Sequence, residues 1–524
     1  MKFSHTPPSV VASDHEHHAT AAAGNAAVVE EAIGVLKDSV SGASEVDTVL
    51  LKAAAGAGKS FALRRMVAEL IDHPGVEHVG VTAFTNNQVE ALVRGLTAEL
   101  GRDRVGWFIS RKKSESLDPS VFEELNISNK LSDFGDDVKV FVSTSHRFGV
   151  MGELGRMRTA LGKDDYPFEV LLVDEAWQLP EHLFAGVSKH APVIVGVGDV
   201  GQLPPLEIGD NPWRGDERYN PYRAWPHSRE HLPSTWAREL PTVWRPAAEQ
   251  LGLWQAFYPD WEKLTSVAAP GDRRLIVADV ADGLSGLVDL MSTGTPVLLE
   301  VDGLPAPEAA DVDLPLTQFA EHVVEALVRG DVRLEQQDYS SDGSLSGNRS
   351  QRGLQDGGDA IIAVLATRNQ AVDDATDAVD RILDSFDLPA GAVVASTVDS
   401  WQGQTNGVTI ALHPLSGADA LDEFNSAFGR LAVTCTRATH GLLVLARAGL
   451  DDLLGSVAAR PGTPFGEPGE RQLPRQTHQR ILSSFARATM TLDPTDLEEN
   501  CPGVSPNRPA QQGPSVRPGS RRRP

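Results

Sequence analysis

The chain has 524 residues, with 47 Lys and Arg against 72 Asp and Glu, so its formal net charge is −25; at ~150 residues per domain, the length predicts about three domains. An apolar content of 41% excludes bulk disorder, and two cysteines, Cys435 and Cys501, exclude a disulfide framework and a cysteine-built zinc site. No apolar run approaches the ~18 residues of a membrane span, no secretory signal opens the chain, and the acidity argues against holding a polyanion by bulk charge; the expectation is a cytoplasmic, monomeric protein whose charged ligands sit in local grooves.

Residues 1–20 are polar and His-rich (His15, His17, His18) with no completed ligand set, and they read as a disordered tail. From Ala21 to Asp38 the apolar residues Val28, Ala32, Val35 and Leu36 recur on one helical face. Apolar strand-like runs then alternate with helix patterns: Val49 to Lys52, Val76 to Thr82, Val138 to Ser143, Val170 to Val173 and Val193 to Val197. A second series covers Leu275 to Val280, Pro296 to Val301, Ala360 to Ala366, Val393 to Val398, Gly407 to Leu412 and Gly441 to Leu445. Uninterrupted apolar runs between helices predict parallel sheets covered on both faces. The fold class is therefore α/β, with two tandem units over residues 21–238 and 239–455. A small insertion falls at about 96–137, and the Gly/Ser-rich stretch 338–358 reads as a mobile loop. The Pro/Trp/Tyr-rich stretch from Asn211 to Ala237 reads as a connector. Residues 456–524 read as a mostly disordered extension ending in Arg521, Arg522 and Arg523.

Leu50 to Ser60 reads LLKAAAGAGKS, a strand running into a glycine-rich loop and then a helix. Gly56, Ala57 and Gly58 let backbone N–H groups close on phosphate oxygens at the positive end of that helix. Lys59 supplies a point charge for the β- and γ-phosphates, and Ser60 offers its hydroxyl to Mg²⁺. Ala53 stands where the pattern has its first glycine. Leu171 to Gln178 reads LLVDEAWQ, so a strand delivers Asp174 and Glu175 at its C-terminal end, where α/β sheets bind ligands. Asp174 suits Mg²⁺, and Glu175 suits activation of the attacking water. Val193 to Leu206 reads VIVGVGDVGQLPPL, in which Gln202 can bond both the water and a γ-phosphate.

LLVDEAWQ and GDVGQLPP resemble motifs II and III of superfamily I helicases, and further motifs follow the family's order. GVTAFTNNQVEAL resembles motif Ia, VSTSHRFG the Thr-His element before motif II, and VWRP motif IV. STVDSWQGQT is similar to motif V and GRLAVTCTRA to motif VI. The resemblance spans about Ala21 to Arg447. It implies two RecA-like domains enclosing ATP and Mg²⁺, with Arg245 and Arg437 reaching the γ-phosphate from the second. Single-stranded DNA or RNA would be held by Thr82, Thr85, Asn86, Thr144 and His146 from the first domain and by Ser400, Trp401 and Gln402 from the second. Arg102, Arg104, Arg111, Lys112 and Lys113 are a basic cluster that either lines the strand exit or is a solvated face.

Two departures bear on the nucleotide. Asn25 stands where the family has an adenine-reading Gln, and after Gly403 the family's ribose-binding Glu is Thr405. Together they imply weaker nucleotide affinity or relaxed base preference, with hydrolysis itself intact. Ala371 to Ala395 has no room for the large insertion of UvrD-type helicases, so the arrangement resembles the 5′-to-3′ branch that includes the RNA-surveillance and RecD-like helicases. The competing readings are a nucleotide-gated clamp on nucleic acid or a protein partner, and a ring-forming AAA+ ATPase.

Overall fold

A computed structural model describes residues 1–11, 16–201, 205, 211–213, 216, 219–280, 282–307, 313–421, 425, 428–456 and 474–493. Two large sheets dominate. The first is wholly parallel and has eight strands: β2 (Thr48–Ala53), β3 (Val79–Ala83), β4 (Val105–Phe108), β5 (Ile127–Ser128), β6 (Val140–Thr144), β7 (Val170–Asp174), β8 (Val193–Gly198) and β9 (Thr235–Leu240). Their order is β5-β4-β6-β3-β7-β8-β2-β9. Alternate residues of one strand serve opposite cores. Val49 and Leu51 pack with Val170 and Leu172 on one face, and Leu50 packs with Leu171 and Val173 on the other. Burial on both faces is why these strands read as unbroken apolar runs.

The second sheet has β1 (Lys2–Thr6), β13 (Val297–Asp302), β16 (Ile362–Ala366), β17 (Val393–Thr397), β18 (Asn406–Leu412), β19 (Ala438–Arg447) and β20 (Ala486–Thr491). Its order is β1-β20-β13-β19-β18-β16-β17, and every pairing is parallel except the antiparallel edge β1–β20. Helices Leu314–Arg329 and Asn369–Ser385 bury Phe319, Val323, Leu327, Ala375 and Val379 in the core of this sheet. The architecture is two tandem α/β units, as the alternating runs imply. A short parallel pair, β10 (Thr242–Val243) and β11 (Thr265–Ser266), and the helix Leu251–Phe257 lie between them. Trp254, Phe257 and Tyr258 share one core with Val195 and Leu240 of the first sheet and with Leu431 and Leu442 of the second unit.

Several expectations are corrected. Residues 1–20 include strand β1, and the helix expected from Ala21 starts at His18. Within the C-terminal extension, the helix Pro474–Leu482 and strand β20 are built into the second unit, and Ile481, Phe485, Ala486 and Met490 are buried. A short helix-like pattern runs from Thr477 to Ala488, but the burial depends on strands distant in sequence, so local composition conceals the docking. Residues 338–358 are largely strand: β12 (Arg273–Ile276), β14 (Arg333–Tyr339) and β15 (Leu345–Gly353) form a small antiparallel sheet. Gly343 supplies the hairpin turn with φ of 82°, a conformation that the glycine tolerates. The run at Leu275 therefore belongs to this sheet rather than to the large one. Residues 96–137 add β4 and β5 to the edge of the first sheet, and the end of the stretch read as a connector is its opposite edge strand, β9.

Candidate nucleotide cleft and adjoining groove

The C-terminal ends of β2, β8 and β7 are neighbours, so the loop after β2, Asp199 after β8 and Asp174 at the end of β7 converge. Gly56 and Gly58 have φ of 71° and 91°, and Gly58 caps the helix Lys59–Ile71. Lys59 Nζ lies 3.2 Å from Glu175 Oε1 and 3.7 Å from Asp199 Oδ2. Burial opposes the lysine's charge, but Glu175, Asp199 and Asp174 outweigh it and raise its pKa. Glu175 has φ of 49°, in the left-handed region that a side chain adopts only at a cost.

Asp174 is held well above the usual carboxylate range, by burial first and by Glu175 second. Its Oδ1 is buried without a hydrogen-bond partner. An orphaned buried carboxylate oxygen next to a P-loop fits a divalent cation, which Asp174 and the exposed Ser60 would hold. Asp199 is also raised by burial; its Oδ1 accepts from Gly201 N at 2.9 Å and from the Tyr258 hydroxyl at 2.8 Å. Tyr258 in turn accepts from Ala55 N at 3.0 Å, and the Trp254 indole donates to Ala55 O at 3.0 Å. The phosphate loop is thus braced from behind by two aromatic residues that sequence reasoning missed. They sit four residues apart at a helix end and look like ordinary core.

Arg245 lies against this loop, and Arg437 is close enough for its charge to act on Lys59. Trp244 N donates to Gly56 O at 2.8 Å, and Arg245 NH1 donates to Thr436 O at 3.0 Å. Arg437 is 1% exposed and donates to Val433 O, Gln404 O and Thr436 Oγ1. Burial, and for Arg245 also the charge of Arg437, lowers the pKa of both guanidinium groups. Among the described residues neither has a carboxylate within ion-pair distance. A second buried arginine, Arg273, donates to the carbonyls of Arg245 and Trp244 and holds that segment in place; no sequence motif marked it. Gly403 (φ 86°) and Thr405 flank Gln404, whose carbonyl Arg437 bonds. Gln202 lies outside the described residues.

Asn25 is corrected. Its side-chain amide donates to Ala57 O and Thr242 O, both at 2.8 Å, and its Oδ1 accepts from Thr242 N at 2.9 Å. Both amide hydrogens are used inside the protein, so Asn25 clamps the phosphate loop and has none left for a base.

Along the same sheet edge, the ends of β3, β4 and β6 enclose a groove of about 510 Å³ lined by Phe84, Thr85, Asn86, Trp107, Phe108, Ser110, Thr144, His146 and Arg147. Thr85 and Thr144 cap the helices that follow them, and the His146 ring lies 5.6 Å from Phe84. Thr82 is corrected: it is fully buried, one strand position below the rim, with its hydroxyl unpaired. Ser400 bonds Thr397, and the Trp401 indole donates to Asn406 Oδ1 at 3.0 Å while its ring packs against Val398 and Val433. Trp401 and Gln402 are half-buried on the loop after β17 and do not line this groove. Of the basic cluster, Arg104 faces Asp72 and Arg111 faces Glu115, while Lys112 and Lys113 follow Ser110 on the groove's margin.

Residues 37–207 match the AAA_19 family, an AAA domain. No curated protein matches the chain. Similar solved structures are Arterivirus nonstructural protein 10 (helicase), at 13% identity and TM-score 0.38 over 81% of this chain and 63% of that one; the PRRSV helicase, at 13% and 0.37 over 88% and 68%; and the Arterivirus protein in complex with DNA, at 14% and 0.38 over 82% and 65%. The chain thus spans 63% of the length of the first of these. The match places an AAA domain over residues 37–207, which holds most of the first of the two tandem α/β units.

Proposed function

We propose that the chain is an ATP-driven translocase or helicase on single-stranded nucleic acid, of the 5′-to-3′ branch, working as a cytoplasmic monomer. The observation that carries this reading is the pair of guanidinium groups, half-buried Arg245 and buried Arg437, neither with a carboxylate within ion-pair distance among the described residues. Two partly desolvated cations that meet only neutral acceptors are costly, and an anion between them relieves the cost. The loop N–H groups, Lys59 and both arginines bind the triphosphate. Asp174 and Ser60 would hold Mg²⁺, which would neutralise part of the phosphate charge. Glu175 takes the proton of the attacking water, and Gln202 orients that water. Thr405 and the loop at Gly403 cover the ribose side, and with Asn25 occupied internally the site favours no particular base.

Hydrolysis removes the anion that joins the arginines to Lys59, and the two units separate. A strand held at Thr85, Asn86, Thr144 and His146 on one unit and at Ser400, Trp401 and Gln402 on the other feels that motion. Lys59→Ala abolishes nucleotide binding, whereas Glu175→Gln keeps binding and loses turnover by ~10²-fold or more, because only water activation is removed. Turnover by Glu175→Gln near the wild-type rate would overturn the assignment. Displacement of a labelled strand from a duplex with a 5′ overhang, but not a 3′ overhang, tests the polarity. Hydrolysis without displacement from either substrate favours the clamp.

A further inference from the structure

We propose that Gln88 is a positioning residue for the hydrolytic carboxylate Glu175, and that it ties this carboxylate to Thr85 at the strand groove. The proposal rests on the reading above of Glu175 and Thr85. Four polar groups form an unbroken line between the two sites. Gln178 Nε2 donates to Glu175 Oε2 at 3.2 Å, Gln88 Nε2 donates to Gln178 Oε1 at 3.2 Å, and Thr85 N donates to Gln88 Oε1 at 2.9 Å. Gln88 N also donates to Thr85 Oγ1 at 3.3 Å, which completes a capping box at the start of the helix Asn86–Leu100.

Each amide has only one useful orientation. Flipping Gln178 would aim its oxygen at the Glu175 carboxylate, and flipping Gln88 would aim its oxygen at that of Gln178. The line runs along the sheet edge from β7 to its neighbour β3, the boundary between the nucleotide cleft and the groove. At its far end Glu175 also faces Lys59, at 3.2 Å. When a γ-phosphate draws Lys59 away, Gln178 is the remaining described partner that aims the carboxylate. When a strand phosphate takes the Thr85 N–H, the Oε1 of Gln88 is released. Occupancy of the groove is thereby felt at Glu175 through two side chains.

The decisive variant is Gln88→Glu. Glutamate accepts the Thr85 N–H and keeps the capping box. It has no N–H to give Gln178, so that link becomes a contact between two acceptors. A merely structural cap would not register this change. At saturating ATP we expect kcat to fall about tenfold at unchanged KM, with the melting temperature unchanged, the affinity for oligo-dT and oligo-U lowered because a strand phosphate must displace a carboxylate from the Thr85 N–H, and the ratio of strand-stimulated to basal rate falling toward one. Gln178→Met should lose as much, and the double variant no more than either, because the two act in one line. Wild-type kcat in Gln88→Glu overturns the proposal, as does a double variant whose losses simply add. If oligo-dT and oligo-U leave the wild-type rate unmoved, the strand reading fails, and the basal kcat of Gln88→Glu still decides the positioning role.

Discussion

Arg245 crosses the phosphate loop so closely that a β-carbon built on Gly56 would lie 2.4 Å from the Arg245 β-carbon. The contact is between main-chain-anchored atoms, so neither side can rotate away. It means that the loop conformation and the placement of Arg245 are one arrangement.

Gly56→Ala should therefore damage chemistry more than fold. Its φ of 71° is left-handed, costing a side chain roughly 1–2 kcal/mol before the clash is counted. The expected outcome is a clear drop in melting temperature of a still folded chain, with ATP turnover reduced by ~10²-fold or more, since an arginine acting on transferred phosphate contributes that much or more. A melting curve and a steady-state rate on the same preparation check both halves.

Asn25→Ala removes the clamp between Ala57 and Thr242 and leaves buried backbone groups unpaired, at a cost of about 1–3 kcal/mol each. We expect a clear loss of stability and weaker binding of all nucleoside triphosphates alike. Comparison of kcat/KM for ATP and GTP is the readout. A selective loss for ATP would restore Asn25 as a base reader.

Strand β20 lies between β1 and β13, and Arg487 bonds Glu300 at 2.8 Å. Ending the chain at Ser456 uncovers the β13 edge, leaves β1 without its partner and removes the buried Phe485 and Met490. Urea denaturation of the truncated chain should show no cooperative transition near that of the full chain. An unchanged midpoint would show that the second unit does not depend on this strand.

The cores and the phosphate machinery were legible in the sequence because each rests on local pattern. Unbroken apolar runs mark doubly covered strands, and GAGKS and DEAWQ need fixed residue types at fixed spacing. Strand β20 and the β14–β15 hairpin were not legible: their stability comes from partners far along the chain, and their own residues are polar or few. Within the site, Asn25 was misread because a single amide looks the same whether it faces a base or a backbone carbonyl. Trp254, Tyr258 and Arg273 were missed because they act on the loop from behind, where the sequence shows only an aromatic helix end and one arginine among many. Gln88 and Gln178 stood inside recognised motifs, but their mutual contact is a tertiary fact.

His413 makes the fold acid-sensitive. Burial first, then the neighbouring charges of His478 and Arg487, depress its pKa from 6.5 to about 3, while its Nδ1 accepts from Leu415 N at 3.1 Å. The unfolded chain takes up this proton below pH 6.5 and the folded chain does not. The contribution is therefore complete above pH 6.5 and is lost on acidification toward pH 3, with a slope of about 1.4 kcal/mol per pH unit for one group. His413→Asn, which can still accept from Leu415, should flatten the stability profile between pH 6.5 and 5 by up to that slope. Urea midpoints across that range provide the test.

The central claim is that one sheet edge couples a nucleotide cleft to a strand groove. It is tested most directly by the rate of ATP hydrolysis against the concentration of single-stranded DNA and RNA. The account predicts saturable acceleration of the wild type by at least one of them. The acceleration should be lost in Arg437→Ala, which retains its strand affinity. In Thr85→Ala it should shift to higher strand concentration, with the basal rate reduced less than the stimulated one. A wild-type rate unmoved by any single strand, in a protein that binds and hydrolyses ATP, would contradict it.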